Sequence, residues 1–112
     1  MIIAVFSKQE DDCIIRDRVY HQFDAGLAVG FLILRATELG LVAHPIAGFS
    51  PKKTRKVLGI PEEYRVITLV IVGKHAETIG TVLSEKQKKT EKRRPQRKPF
   101  DEFVFFNKFS DR

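Results

Sequence analysis

The chain contains 112 residues, of which 43% are hydrophobic, and has a formal net charge of +6. This length predicts one small domain, and this apolar content is enough for a core and excludes wholesale disorder. The single cysteine, Cys13, excludes an intrachain disulfide and favours a reducing compartment. The longest uncharged helical run, 25–34, is too short for a bilayer, which needs about 20 residues. We therefore interpret the sequence as that of a soluble, cytoplasmic protein.

The first part of the chain predicts a strand followed by a long helix. Residues 2–6 are β-branched and aromatic, as in a buried strand, and the polar residues 8–17 are expected to form a loop. Residues 24–39 predict a helix, with Gly40 at the position of a left-handed C-cap. Because 25–34 are apolar on all sides, this helix is expected to be central. Its two glycines share one face, which allows either close packing on a sheet or a helix–helix contact between subunits.

The middle of the chain predicts two more strands around a short helix. Residues 41–43 suggest a short strand, and the Pro and Gly of 44–49 predict a loop. The Ser-Pro dipeptide 50–51 favours the start of a helix that ends at Gly59. Residues 65–73 are almost all apolar and predict a central strand covered on both faces. This order of elements predicts an α/β (α+β) fold, a sheet with a long central helix.

The end of the chain differs in composition from the rest. Residues 84–98 contain eight basic and two acidic residues, which account for the whole net charge, and they predict a solvated, mobile linker. The last segment, 99–112, contains five of the nine phenylalanines, whose rings need burial within the chain or on a partner subunit. We therefore predict a core over 1–83, a basic linker over 84–98, and an aromatic tail over 99–112 that packs on a partner. Because aromatic residues do not alternate with basic ones, nucleic-acid binding through Lys86–Lys98 is the less favoured interpretation.

Few side chains offer catalytic chemistry. His21, His44 and His75 are isolated and have no metal-ligand spacing to one another or to Cys13, so no metal site is predicted. No glycine-rich phosphate loop of the dinucleotide or P-loop type occurs. The residue pattern by itself therefore assigns no catalytic residue.

Five blocks of the sequence resemble the nitroreductase family, in the family's order and close to its spacing. They are D-A-G-L-A-V-G-F-L-I-L-R-A-T-E-L-G-L from Asp24, H-P-I-A-G-F from His44, K-V-L-G-I-P-E-E-Y from Lys56, V-I-T-L-V-I-V-G from Val66 and R-K-P-F-D-E-F-V from Arg97. The most specific feature is the combination of the Pro-Ile-x-Gly-Phe loop with the Leu-Gly-Ile-Pro-Glu-x-Tyr turn after it. The resemblance covers most of the chain.

The resemblance implies FMN bound at a homodimer interface and hydride transfer from NAD(P)H to a nitroaromatic, quinone or related acceptor. The residues that it implies for cofactor binding are Pro45, Ile46, Ala47, Gly48, Arg97 and Lys98. In such proteins the Pro-x-x-Gly loop lies against the flavin, and the backbone N–H groups of Ala47 and Gly48 would point at its N5 and O4 edge. Arg97, with Lys98 adjacent, would bind the FMN phosphate, and the tail would cross to the other subunit.

The chain also departs from the family pattern. The family begins with an Arg-Arg-Ser-x-Arg phosphate grip and has a Gln-Pro-Trp region under the flavin; neither is present, and the sequence contains no Trp. Some members carry an acid where this chain has Ala47. The sequence is therefore expected to be the C-terminal half of a nitroreductase-type protein. It would be an FMN oxidoreductase, completed by a separate N-terminal half or working as a homo-oligomer with a reduced site. The alternative is a catalytically inactive truncated fragment or interaction protein.

Overall fold

The computed structural model describes residues 1–93 and 95–109, whose contacts divide the chain into two units, 1–75 and 76–112. The elements, in chain order, are β1 (Ile2–Ser7), β2 (Ile14–Ile15), β3 (Arg18–Val19), α1 (His21–Glu38), β4 (Val42–Ile46), α2 (Pro51–Leu58), β5 (Arg65–Gly73) and α3 (Glu85–Glu91). All but α3 belong to the first unit. This mixture of helices and an antiparallel sheet confirms the predicted α/β (α+β) class. None of the described helices is long and apolar enough to cross a membrane.

The first unit is built on a three-stranded antiparallel sheet in the order β1-β5-β4. The central strand β5 covers 65–73, as predicted, because its β-branched residues favour a strand with neighbours on both edges. Its buried residues alternate along the strand: Val66, Val70 and Val72 are buried, and Val70 is 0% exposed. The prediction that both faces are covered is wrong for this chain, because Ile71 on the opposite face remains 37% exposed.

Helix α1 packs along the sheet and contacts both β1 and β4. It begins at His21 rather than at the predicted Asp24, because a tertiary hydrogen bond of 2.7 Å joins the buried His21 Nδ1 to the buried Ser7 Oγ at the end of β1. Its end follows the prediction: Gly40 adopts φ +70°, and its N–H donates to the Thr37 carbonyl, as in a glycine C-cap. The apolar residues of this helix are not all covered within this chain, since Phe31 is 69% exposed.

Helix α2 begins and ends at the predicted residues. The Ser50 side chain accepts a hydrogen bond from the Lys53 N–H, Pro51 occupies the first helical position, and Gly59 ends the helix in the left-handed region at φ +65°. The residue that follows, Ile60, is buried in the core. These local caps fix where α2 starts and stops, and therefore which of its side chains face solvent.

Two segments predicted to be loops contain regular structure. Residues 8–17 form a short 3-10 turn and the hairpin of β2 and β3, which turns through Arg16 at φ +62°. Residues 44–46 of the predicted loop 44–49 are the end of β4, because they pair with β5 despite the proline at position 45. Pro45 is tolerated because β4 lies at the edge of the sheet, where one side of the strand has no ladder to complete.

The second unit contains α3 and a 3-10 turn at Phe100–Glu102. Within the predicted basic linker, Glu85–Glu91 are helical because Ser84 and Gln87 form a reciprocal capping box. Within the predicted tail, rings pair as Phe100 with Phe103 and as Phe105 with Phe109. Arg94 and residues 110–112, which belong to the predicted linker and tail, lie outside the described residues. The division into linker and partner-bound tail stays a prediction.

Candidate functional site

The loop predicted to contact the cofactor starts from a fixed point in the sheet. Pro45 pairs with Val70 and Ile46 pairs with Leu69 across β4 and β5. In addition, the Thr68 hydroxyl donates a 2.9 Å hydrogen bond to the Ile46 carbonyl oxygen. Because Val70 is fully buried, the first two residues of the loop are attached to the most deeply buried part of the core.

The next two residues present free backbone donors. Ala47 and Gly48 are exposed, and their N–H groups donate to no acceptor within residues 1–93 and 95–109. The chain turns at Gly48, because the Phe49 N–H donates to the Ala47 carbonyl oxygen at 2.9 Å. Two adjacent donors on a tethered loop suit a ligand with several acceptor atoms at one edge.

Gly48 leaves room for such a ligand. Its φ lies outside the left-handed region, so the backbone conformation does not require glycine here. A Cβ at this position would meet no heavy atom within 4 Å, so packing within the chain does not require glycine either. The open space beside Gly48 would allow a ligand to approach the backbone closely.

The predicted phosphate-binding residues belong to the second unit. Arg97 and Lys98 are exposed and lie in a segment without regular structure before the Phe100–Glu102 turn. Neither forms an ion pair with a described carboxylate, so both charges are available to an anion. Since the loop at Pro45–Gly48 belongs to the first unit, their participation in one common site is a proposal.

An apolar groove runs along the exposed side of α1. It encloses about 630 Å³, and its lining residues are Gln22, Phe23, Gly26, Leu27, Gly30, Phe31, Ile33 and Leu34. A Cβ added at Gly26 or Gly30 would meet nothing within 4 Å, so the two glycines are not needed for packing on the sheet. Of the two packing roles that the sequence allows, the structure favours contact with another molecule.

The remaining titratable groups of the first unit offer little chemistry. Desolvation and the neighbouring Asp12 raise the pKa of the Cys13 thiol above its ordinary value, which disfavours a reactive thiolate. Desolvation and Asp12 likewise raise the pKa of Asp24. Among the residues that the structure describes, no three His, Cys, Asp or Glu side chains come together as a metal site.

Two tertiary hydrogen bonds of the first unit were missed by the sequence analysis. The Thr68 hydroxyl that holds the Ile46 carbonyl comes from a position 22 residues away, although a lone threonine inside an apolar strand indicates a tertiary role. The Ser7–His21 hydrogen bond has no signal in the sequence, since nothing in the local pattern relates residues 14 positions apart.

Comparisons with known proteins identify relatives of this chain. A sequence model of the family described as "Nitroreductase family" matches residues 1–74. The chain is 29% identical over 118 residues to the "Putative NAD(P)H nitroreductase MhqN" of Bacillus subtilis (strain 168), covering 92% of this chain and 51% of that protein. It is 33% identical over 73 residues to an uncharacterized 15.4 kDa protein from the ask 5′ region of Mycolicibacterium smegmatis, covering 65% of this chain and 47% of that protein.

A solved structure shows the same fold over nearly the whole chain. The crystal structure of an oxidoreductase containing FMN superposes with a TM-score of 0.77 at 26% identity, covering 99% of this chain and 56% of that one. The chain thus spans about half the length of the curated relatives that it matches.

Proposed function

Because this chain belongs to the nitroreductase family, we propose that it forms part of an FMN-dependent oxidoreductase that passes electrons from NAD(P)H to a nitroaromatic or quinone-like acceptor. The members of this family are, in general terms, flavin oxidoreductases. The observation that carries the proposal for this chain is the pair of free N–H donors at Ala47 and Gly48, held by a strand of the core.

The chain's own contribution is to bind and orient the flavin. FMN, when bound, accepts hydride and passes electrons on, and negative charge develops at its ring edge. The N–H groups of Ala47 and Gly48 would donate to that edge, and they need little reorganisation because Thr68 and β5 hold the preceding residue. Arg97 would pair with the phosphate through its guanidinium, with Lys98 as a second cation.

We propose that two copies associate through the apolar groove of α1, with the aromatic tail adding contacts to the partner. A side chain at Gly30 would fill the groove, so Gly30→Leu should convert the dimer to a monomer. Ala28→Leu is the matched control, because Ala28 is exposed on the same helix but does not line the groove. Helix propensity favours Gly30→Leu and is nearly neutral for Ala28→Leu, so unfolding of α1 would not explain the loss of the dimer. Size-exclusion chromatography with light scattering separates the outcomes, and equal dimers for both variants would contradict this seam.

The second candidate is a chain that folds and associates but does not catalyse a reaction. Its supporting observation is the apolar groove of α1, which would serve association without any catalytic group. A separate protein that supplies the rest of the flavin site would instead favour the enzyme. The predicted cytoplasmic location belongs to the same proposal.

The first test is flavin binding by the purified chain, measured by its visible absorption after adding FMN and dialysing. Retained flavin bands support the enzyme, and their complete loss supports the inactive fragment. Ala47→Pro removes the backbone N–H of residue 47, and proline is compatible with the extended conformation of Ile46 before it. We expect the FMN affinity to fall about tenfold, because one charge-assisted hydrogen bond is lost. Ala47→Ser keeps the N–H and should bind as the wild type does. Equal affinity for both variants would contradict the proposed donor role.

A further inference from the structure

Helix α2 presents a basic face to solvent. Lys52, Arg55 and Lys56 are spaced i, i+3 and i+4, so they lie on one side of the helix. Together with Gly59, Ile60 and Glu62 they line a surface depression of about 730 Å³. Three cations around one depression, with a single carboxylate at its edge, form a site for an anion.

Ion pairing among the described residues does not account for these charges. Helix α2 contains no acidic residue, and the ion pairs of the described residues join Arg35 to Glu38 and Lys88 to Glu85. The helix dipole accounts for Arg55 in the last turn, where a cation is favourable. It does not account for Lys52 in the first turn, where the same dipole opposes a positive charge.

The depression also lies near the candidate flavin loop. Four virtual bonds separate Gly48 from Lys52, so their Cα atoms are at most about 15 Å apart. The Ser50 cap fixes the start of α2 directly after the loop. An extended ligand with one end at the loop can therefore place a distant anionic group on α2.

We propose that this depression binds the 2′-phosphate of NADPH, so that the electron donor is NADPH in preference to NADH; this rests on the proposed function. A phosphate monoester is a compact dianion whose oxygens suit the bidentate guanidinium of Arg55 and the point charges of Lys52 and Lys56. Ile60, buried at the base of α2, gives the depression an apolar side for the attached ribose. NADH lacks the group that these cations recognise.

The test uses the full chain and two isomeric probes, 2′,5′-ADP and 5′-ADP, titrated by isothermal calorimetry. We expect 2′,5′-ADP to bind more tightly, and Arg55→Ala and Lys56→Ala each to weaken it about fivefold, the worth of one exposed charge interaction. Lys53→Ala is the matched control, because it removes the same charge from the same helix but does not line the depression. Glu62→Gln should strengthen binding.

Three results would overturn the inference. The first is equal affinity of the chain for the two isomers. The second is that Lys53→Ala and Arg55→Ala weaken the binding of 2′,5′-ADP equally. The third is that inorganic phosphate competes for the depression as strongly as 2′,5′-ADP does. Failure of the proposed function is distinguishable, because FMN binding is followed separately by absorption and should be unchanged in Arg55→Ala. Selective 2′,5′-ADP binding by a chain that does not bind FMN would support the phosphate site and contradict the flavin site.

Discussion

Replacing Thr68 by valine tests whether the core of the sheet holds the cofactor loop in place. The Thr68 hydroxyl donates to the Ile46 carbonyl oxygen at 2.9 Å, and it also lies 3.2 Å from the Leu69 carbonyl oxygen. Valine has the same shape and an equal or better preference for strands, so the substitution removes the hydroxyl and little else. The change therefore isolates one hydrogen bond between β5 and the end of β4.

The expected loss of unfolding free energy is about 1 kcal/mol, the usual net worth of one partly buried hydrogen bond. That corresponds to roughly a fivefold change in the unfolding equilibrium constant. Urea denaturation followed by far-ultraviolet circular dichroism measures it, since the chain contains no Trp to report fluorescence. The same variant should bind FMN more weakly, because Ala47 and Gly48 lose part of their fixed orientation.

Thr37→Val provides the control for this experiment. The Thr37 hydroxyl donates to the Ile33 carbonyl oxygen within α1 and is exposed, so its loss should change stability by less than about 0.5 kcal/mol and leave flavin binding unchanged. A Thr68→Val variant with the stability and flavin affinity of the wild type would contradict this role of Thr68, as would equal weakening of FMN binding by both variants.

Three further predictions concern the core, a carboxyl group and the tail. Val70→Ala should cost about 2–3 kcal/mol by removing buried methyl groups, whereas Val82→Ala, at a side chain 93% exposed, should cost almost nothing in the same urea assay. The pKa of Asp24 is raised above 3.8 in the folded chain, so folding favours the protonated carboxyl. This contribution to the free energy of unfolding is fully present below the pKa of the unfolded chain, and it is lost as pH rises through the pKa of the folded chain. Asp24→Asn should therefore exceed the wild type in stability at neutral pH and lose this advantage in acid; a constant difference across pH would contradict it. Deleting the residues after Pro99 should abolish dimerisation, and an unchanged dimer by light scattering would show that the tail is not needed.

Helix ends that are fixed by local capping residues could be predicted from the sequence. Gly40 and Gly59 both take the left-handed conformation that the predicted C-caps require, and Ser50 caps α2 as expected. The same kind of signal is present at Ser84 and Gln87, where a capping box starts α3. There the density of charge favoured a linker, although local capping is sufficient to order one short helix.

Features that depend on distant partners could not be predicted in this way. The start of α1 is extended to His21 by a hydrogen bond between His21 and Ser7, and β4 continues through Pro45 because β5 lies beside it. The candidate loop was identified by resemblance rather than by periodicity. Its free donors and the Thr68 tether are tertiary facts, because they depend on which backbone groups find a partner after the sheet has formed.

The strand order of the sheet determines when this protein can begin to fold during its synthesis. Every pairing in the three-stranded sheet includes β5, the last of its strands to leave the ribosome, and Ile2 must wait for Ile71. At about 5–20 residues per second, β1 remains without a partner for roughly 3 to 14 seconds. During this interval an apolar strand has an unpaired edge, which is a template for aggregation. Translation that pauses before Arg65 would lengthen this vulnerable period, whereas completion of Gly73 allows both outer strands to pair at once.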